Sequence, residues 1–259
     1  MSQPDAPKLQ PALSGARLPL VLAFDTSTEH LSVGLSGPGG LLSSSAPGGA
    51  LASSTLLPHI HALLDRAGMG LRQLEGVAFG SGPGAFTGLR TACAVAQGMG
   101  LALGLPLIPI DSLLIVAEDA RRQACPGGED CDVAVAMDAR MDEVYAGQYH
   151  WCTGRWQVIE APRLFTLPAL HSAWAQRPVQ ILAGSALTAF GDRLQAPFSA
   201  DLRPQEHHRA GALLQLALRA AQDGHTVDAA DALPMYVRDK VAHTTRERAA
   251  ARALAGRPA

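Results

Sequence analysis

Residues Leu18-Pro-Leu-Val-Leu-Ala-Phe-Asp-Thr-Ser-Thr28 form an unbroken apolar run that stops at a single aspartate. A run without polar interruption reads as a strand covered on both faces, so residues 18–24 are expected at the centre of a sheet. Next, Leu31, Val33 and Leu35 alternate as one face of a second strand. The turn Gly37-Pro-Gly-Gly40 leads to a third near Leu41–Ser45. A helical stripe follows in Leu56, Ile60, Leu63 and Ala67, with Leu57 and Leu64 beside it. Ser53, Ser54 and Thr55 offer N-caps, Pro58 is tolerable only in a first turn, and Gly68 ends the helix. Gly76–Gly80 is a short buried strand. A glycine loop leads from it to a helix over Thr87–Leu103, a strand over Leu107–Ile110 and a helix capped by Asp111-Ser112 and running to Gln123.

A second half repeats the order. Val133–Met137 is an apolar strand ending at Asp138, as the first ends at Asp25, and Gly80-Ser81 with Ala85-Phe86 recurs as Gly184-Ser185 with Ala189-Phe190. Two matched segments in one order indicate internal duplication. Further strands are expected near 156–165 and 179–183, and helices near 168–176 and 209–222. The expected fold is α/β: an actin-like (ASKHA, ribonuclease-H-like) duplicated fold of two lobes. Residues 19–111 form the first and 112–235 the second. A disordered extension over 1–18 precedes them and a basic tail over 236–259 follows.

The chain has 259 residues, 47% of them hydrophobic, and a net charge of −2. That is enough for two modest cores and sets no chain-wide basic field for nucleic acid. Positive charge gathers only in the tail, in Arg238, Lys240, Arg246, Arg248, Arg252 and Arg257, which suits a solvated terminus or a contact with a partner or RNA. Cys93, Cys125, Cys131 and Cys152 form no CxxC pair, which argues against zinc or a redox motif. Cys125 and Cys131 bracket a loop and are expected reduced. No apolar run reaches the roughly 20 residues of a membrane span, and residues 1–18 lack the pattern of a signal peptide, so a cytoplasmic location is expected.

Two segments could carry chemistry. Asp25, Thr26 and Ser27 close the first strand in a turn that could hold a phosphate or hydrated metal, or be an ordinary self-bonded turn. Gly80-Ser-Gly-Pro-Gly-Ala-Phe-Thr-Gly-Leu-Arg90 is rich in permissive residues. Gly82, Gly84 and Thr87, with the helix start, could bind an anion, or the segment could be a tight strand-to-helix connection. It is not a P-loop, since it has no lysine. The second-half turn, Asp138-Ala-Arg-Met141, lacks the glycine that lets such a loop approach phosphates. His59 and His61 point in different directions on one helix, His207-His208 is adjacent and no HxxxH occurs, so no metal site is expected; the composition leaves a Ser/His/Asp triad open, but no GxSxG elbow is present. Ala92, Ala96, Gly100 and Gly104 recur every fourth residue. This flat stripe suits close approach, either to the protein's own sheet or to a helix of a second protein.

Leu22–Thr28, Leu56-Leu-Pro58, the Gly80–Arg90 segment, Val135–Arg140 and Pro234–Ala242 together resemble the TsaB (YeaZ) family over about 20–248. The glycine segment ending in FTGLR after a first-strand DTST is the specific part. The resemblance implies a non-catalytic subunit of the machine that places threonylcarbamoyl on the tRNA adenosine beside the anticodon. Such a subunit pairs with the TsaD transferase through helices of the first lobe. TsaE joins the two, TsaC supplies the adenylate, and tRNA is met through the complex. Carried over, the partner surface comprises Leu57, Ile60, His61, Leu64, Arg90, Ala92, Ala96, Gly100 and Gly104 on helices 53–67 and 87–104. No intrinsic cofactor is implied, and any ATP or ADP would sit at the partner interface. Homodimerisation of the isolated chain is left open. The family's His-Ser before Leu-Leu-Pro stands here as Ala52-Ser53. The competing reading is an actin-fold enzyme, a small-molecule kinase or a glycoprotease-like hydrolase, built on Asp25 and the glycine segment.

Overall fold

A computed structural model describes residues 19–194, 196 and 198–238. The expected extension over 1–18 and the tail beyond Arg238 lie outside the described residues. The first half runs β1 (Val21–Asp25), β2 (His30–Gly37), β3 (Gly40–Pro47), α1 (Ala52–Ala67), β4 (Gly76–Gly82), α2 (Phe86–Leu103), β5 (Leu107–Asp111) and α3 (Ser112–Ala124). The second runs β6 (Cys131–Asp138), β7 (Glu143–Cys152), β8 (Arg155–Thr166), α4 (Leu167–Gln176), β9 (Ile181–Ala183), α5 (Ala186–Phe190), β10 (Asp201–Arg203) and α6 (Arg209–Gln222).

The sheets are ordered β3-β2-β1-β4-β5 and β8-β7-β6-β9-β10. In each, the first strand pairs antiparallel with the second and parallel with the fourth. Strand for strand the halves match, which is the duplicated actin-like α/β fold with two lobes. β1 is buried throughout because both faces are covered. Leu22 and Phe24 point to the core beneath α1 and α2, and Val21 and Ala23 to the core beneath α6.

That second cover changes the lobe boundary. α3 crosses to the second sheet, packing Leu113, Val116 and Ala117 on Val133, Val135 and Trp151. In exchange α6 lies on the first sheet, packing Leu213, Leu214 and Ala217 on Val21, Ala23 and Ile108. Residues 209–222 therefore belong with the first sheet, not with a lobe spanning 112–235. So do Val227, Ala229 and Ala232, which join the first lobe's core.

Helix ends follow local chemistry with two corrections. Gly68 and Gly104 end α1 and α2 with φ of +64° and +66°, and the Asp111 side chain accepts the Leu113 N–H to cap α3. In α1, however, the N-cap position is Leu51, and the Ser54 and Thr55 hydroxyls donate back to its carbonyl at 3.0 and 2.9 Å. Pro58 is then inside the helix. It cannot bond the Ser54 carbonyl, and both residues face solvent, where water can. In α2 the helix begins at Phe86, one residue before the expected Thr87, behind Ala85 as an N-cap with no side-chain cap bond.

Candidate functional site: the interlobe cleft and the outer face of α1 and α2

β1 ends by placing Asp25 beneath a cleft between the lobes, under its partners Ser27, Ser112 and Arg209, which line that cleft. The carboxylate is fully buried. Its Oδ1 accepts the Ser27 N–H and hydroxyl, each at 2.8 Å, and Arg209 Nε at 3.3 Å, while Oδ2 accepts the Ser112 hydroxyl at 3.3 Å. Arg209 opens α6, and its side chain is 6% exposed. Nη2 donates to Ser27 Oγ at 2.9 Å and Nη1 donates to Glu206. Burial alone would weaken the guanidinium as a base, but Asp25 and Glu206 outweigh it and hold its pKa above the ordinary value.

The glycine segment locks onto the same turn. A Cβ on Gly80 would lie 1.6 Å from Asp25 Oδ2, one on Gly84 2.6 Å from the Ser27 carbonyl oxygen, and one on Gly88 1.8 Å from the Thr26 carbonyl oxygen. Thr26 Oγ1 donates to the Gly88 carbonyl at 2.7 Å and the Ala85 N–H to the Ser27 carbonyl at 2.8 Å. Gly82, with φ +119°, packs against the Met235 carbonyl. Of the proposed anion ligands, Asp25, Thr26, Ser27 and Gly84 come together, but with each other and with the chain's own loops. Thr87 is exposed on the helix. The segment is a tight connection whose glycines permit close approach. An actin-like fold implies a metal-nucleotide here, and these residues do not fit one, because the Asp25 carboxylate is already enclosed by two hydroxyls, an N–H and a guanidinium.

The cleft itself has a volume of about 830 Å³ and is lined by both lobes, among others by Thr28, Phe86, Arg140, Ser185, Glu206 and Tyr236. Deeper between the lobes, the Tyr149 hydroxyl donates to Asp111 Oδ2 at 2.6 Å. Burial pushes the Asp111 carboxyl up to about 6, against the lowering effect of its hydrogen bonds to Tyr149 and Leu113. At the rim, the turn between β6 and β7 holds Arg140, Met141 and Asp142 at φ of +62°, +56° and +61°. Ordinary residues in this region cost about 1–2 kcal/mol each. The Arg140 N–H donates to Asp138 Oδ1 at 2.8 Å and the Glu143 N–H to the Arg140 carbonyl at 3.1 Å.

The stripe of small residues on α2 faces inward. Ala92 and Ala96 are fully buried in the first lobe's core, and a Cβ on Gly100 would meet Ala229 Cβ at 2.8 Å. On α1, Ile60 and Leu64 are likewise core residues. These five positions therefore pack on the protein's own sheet and C-terminal segment. Leu57, His61, Arg90 and Gly104 are exposed. The solvent face of α2 carries Arg90, Ala94, Gly98 and Leu101, with the small pair Ala94 and Gly98 between two large residues. A Cβ on Gly98 would meet nothing within 4 Å, and Leu101 is 68% exposed. Beside it, α1 presents Leu57, 47% exposed, with Pro58 and His61.

The sequence motifs pointed to no role for Arg209, and to Arg238 only as one cation of the basic tail. Arg209 had a visible signal: a cation at the start of an apolar helix opposes the helix dipole, and so asks for an anionic partner. Arg238 stood in the tail with no such mark.

The chain resembles known proteins along most of its length. The family model of TsaD, described as tRNA N6-adenosine threonylcarbamoyltransferase, matches residues 50–198. The tRNA threonylcarbamoyladenosine biosynthesis protein TsaB of Escherichia coli is 30% identical over 226 residues, covering 86% of this chain and 96% of that one. TsaB of Haemophilus influenzae is 39% identical over 128 residues, a match spanning 49% of this chain and about half, 52%, of the relative. A Pseudomonas aeruginosa crystal structure, described as an uncharacterized protein with similarity to peptidase YEAZ, superposes with a TM-score of 0.74 at 37% identity, covering 85% of this chain and 100% of that one.

Proposed function

The chain belongs to the TsaB family, and we propose that it serves tRNA threonylcarbamoyladenosine synthesis as a non-catalytic subunit that pairs with TsaD through the outer face of α1 and α2. The observation that carries this reading is that face. Leu101 ends the open row of Ala94 and Gly98 on α2, and Leu57 is exposed on the neighbouring α1, a surface with apolar groups and little bulk that a second helix can approach closely. The pairing of Asp25 with Arg209 supports the absence of independent chemistry, because the carboxylate that would serve an actin-fold enzyme is neutralised within the chain. TsaE and tRNA join through the complex, and a nucleotide, where one is used, sits at the subunit interface. The test is threonylcarbamoylation of tRNA by the TsaC, TsaD and TsaE of the same cells, with and without this chain. Modification should require it, and the chain alone with tRNA and adenylate should give none. Modification without it, or transfer by it alone, would overturn the proposal.

A further inference from the structure

Residues 227–238 follow α6 without helix or strand and span both lobes. Val227 exchanges two backbone hydrogen bonds with Leu107 on β5, at 2.8 and 3.0 Å. The Ala232 carbonyl accepts from Gln97 Nε2 at 2.9 Å, and the Met235 N–H donates to the Ser81 carbonyl at 2.7 Å. The Tyr236 ring packs on Phe86 with centroids 5.3 Å apart. All these anchors are on the first lobe. Arg238 then enters the second, where Nη2 donates to the Ala139 carbonyl at 3.0 Å, to the Glu143 carboxylate at 2.6 Å and to the Arg140 carbonyl at 3.4 Å.

The turn it grips is the left-handed run Arg140-Met141-Asp142, a conformation that ordinary residues keep only where their surroundings hold it. In that shape the turn carries Arg140 to Glu29 of the opposite lobe, 3.1 Å away at the cleft mouth. Neither the Asp25–Arg209 pair nor the α1–α2 face accounts for this series of contacts.

We infer that residues 227–238 are a strap that fastens the cleft. Arg238 holds the Ala139–Glu143 turn left-handed, and the turn so held closes the mouth through Arg140 and Glu29. Lifting the strap relaxes the turn and frees the rim.

Amide hydrogen exchange on the full chain tests this. In Arg238→Ala, the Arg140 and Glu143 amides should exchange about tenfold faster, the ratio set by about 1.4 kcal/mol of lost holding energy. The Met235 amide, anchored upstream on Ser81, should keep its rate. Arg238→Lys keeps the charge without the fork and should fall between, and it serves as the reading if Arg238→Ala does not fold. Glycine takes positive φ without steric cost, so Met141→Gly should shrink the effect of Arg238→Ala. Unchanged turn amides in the folded variant would overturn the strap. So would acceleration spread equally over both lobes, or an Arg238→Ala effect indifferent to Met141→Gly.

Discussion

The Arg209 guanidinium lies between Asp25 and Glu206, with Nε 3.3 Å from Asp25 Oδ1 and the side chain 6% exposed. A helix from the second half of the chain thus delivers a fixed cation to the strand-end aspartate of the first. Breaking a buried pair by removing one partner costs about 3–5 kcal/mol, because the other charge is stranded. Asp25→Ala and Arg209→Met should each destabilise on that order in urea unfolding. The double variant should lose clearly less than the sum. Strict additivity would show that the two charges do not support one another.

Substitution at the glycines should separate sharply by position. Gly88→Ala would drive a Cβ to 1.8 Å from the Thr26 carbonyl oxygen, so backbone must move, and thermal unfolding should show a large loss of stability or no folded protein. Gly98→Ala meets nothing within 4 Å and removes a helix-interior glycine, so stability should rise by up to about 1 kcal/mol. A gain at Gly88 would contradict the packing described.

Asp111 makes stability depend on pH in a stated direction. Its folded pKa, about 6, lies above the ordinary 3.8, so the folded state holds the proton more tightly. The stability this gives is complete below about pH 4 and is lost as pH rises through 6, a swing of about 3 kcal/mol. Relative to wild type, Asp111→Asn should therefore gain stability between pH 4 and 7 by that amount in urea unfolding. A constant difference across the range would remove Asp111 as the cause.

Much of the architecture could be read from the chain, and the reasons for the remainder are physical. The apolar runs ending at Asp25 and Asp138 located both central strands, and Gly68 and Asp111 marked helix ends because single residues decide those conformations. The four-residue spacing on α2 revealed a stripe but not its direction. Ala92, Ala96 and Gly100 on one side and Ala94 and Gly98 on the other are both small, and only the tertiary fold turns the first toward Leu107 and Ala229. β10 has three residues, none buried, and offers no pattern. The Asp25–Arg209 contact joins residues 184 apart in sequence, a separation that local reading does not bridge.

The inward direction of that stripe also separates two substitutions on α2 only two positions apart. Gly100→Leu should damage the isolated protein, since its side chain would collide with Ala229, Leu107 and the Leu105 carbonyl. Gly98→Leu should leave thermal unfolding of the isolated protein near wild type. Equal tolerance at both sites would contradict the burial of Gly100.

Titration calorimetry of the chain against its own TsaD, for wild type, Leu101→Glu and Gly98→Arg, goes most directly to the central claim. Each variant is first shown to melt as wild type does. Both changes fall on open surface, so the account predicts folded proteins that bind TsaD at least about thirtyfold more weakly, the scale of a lost interface hot spot of about 2 kcal/mol. Wild-type affinity in both variants would contradict it.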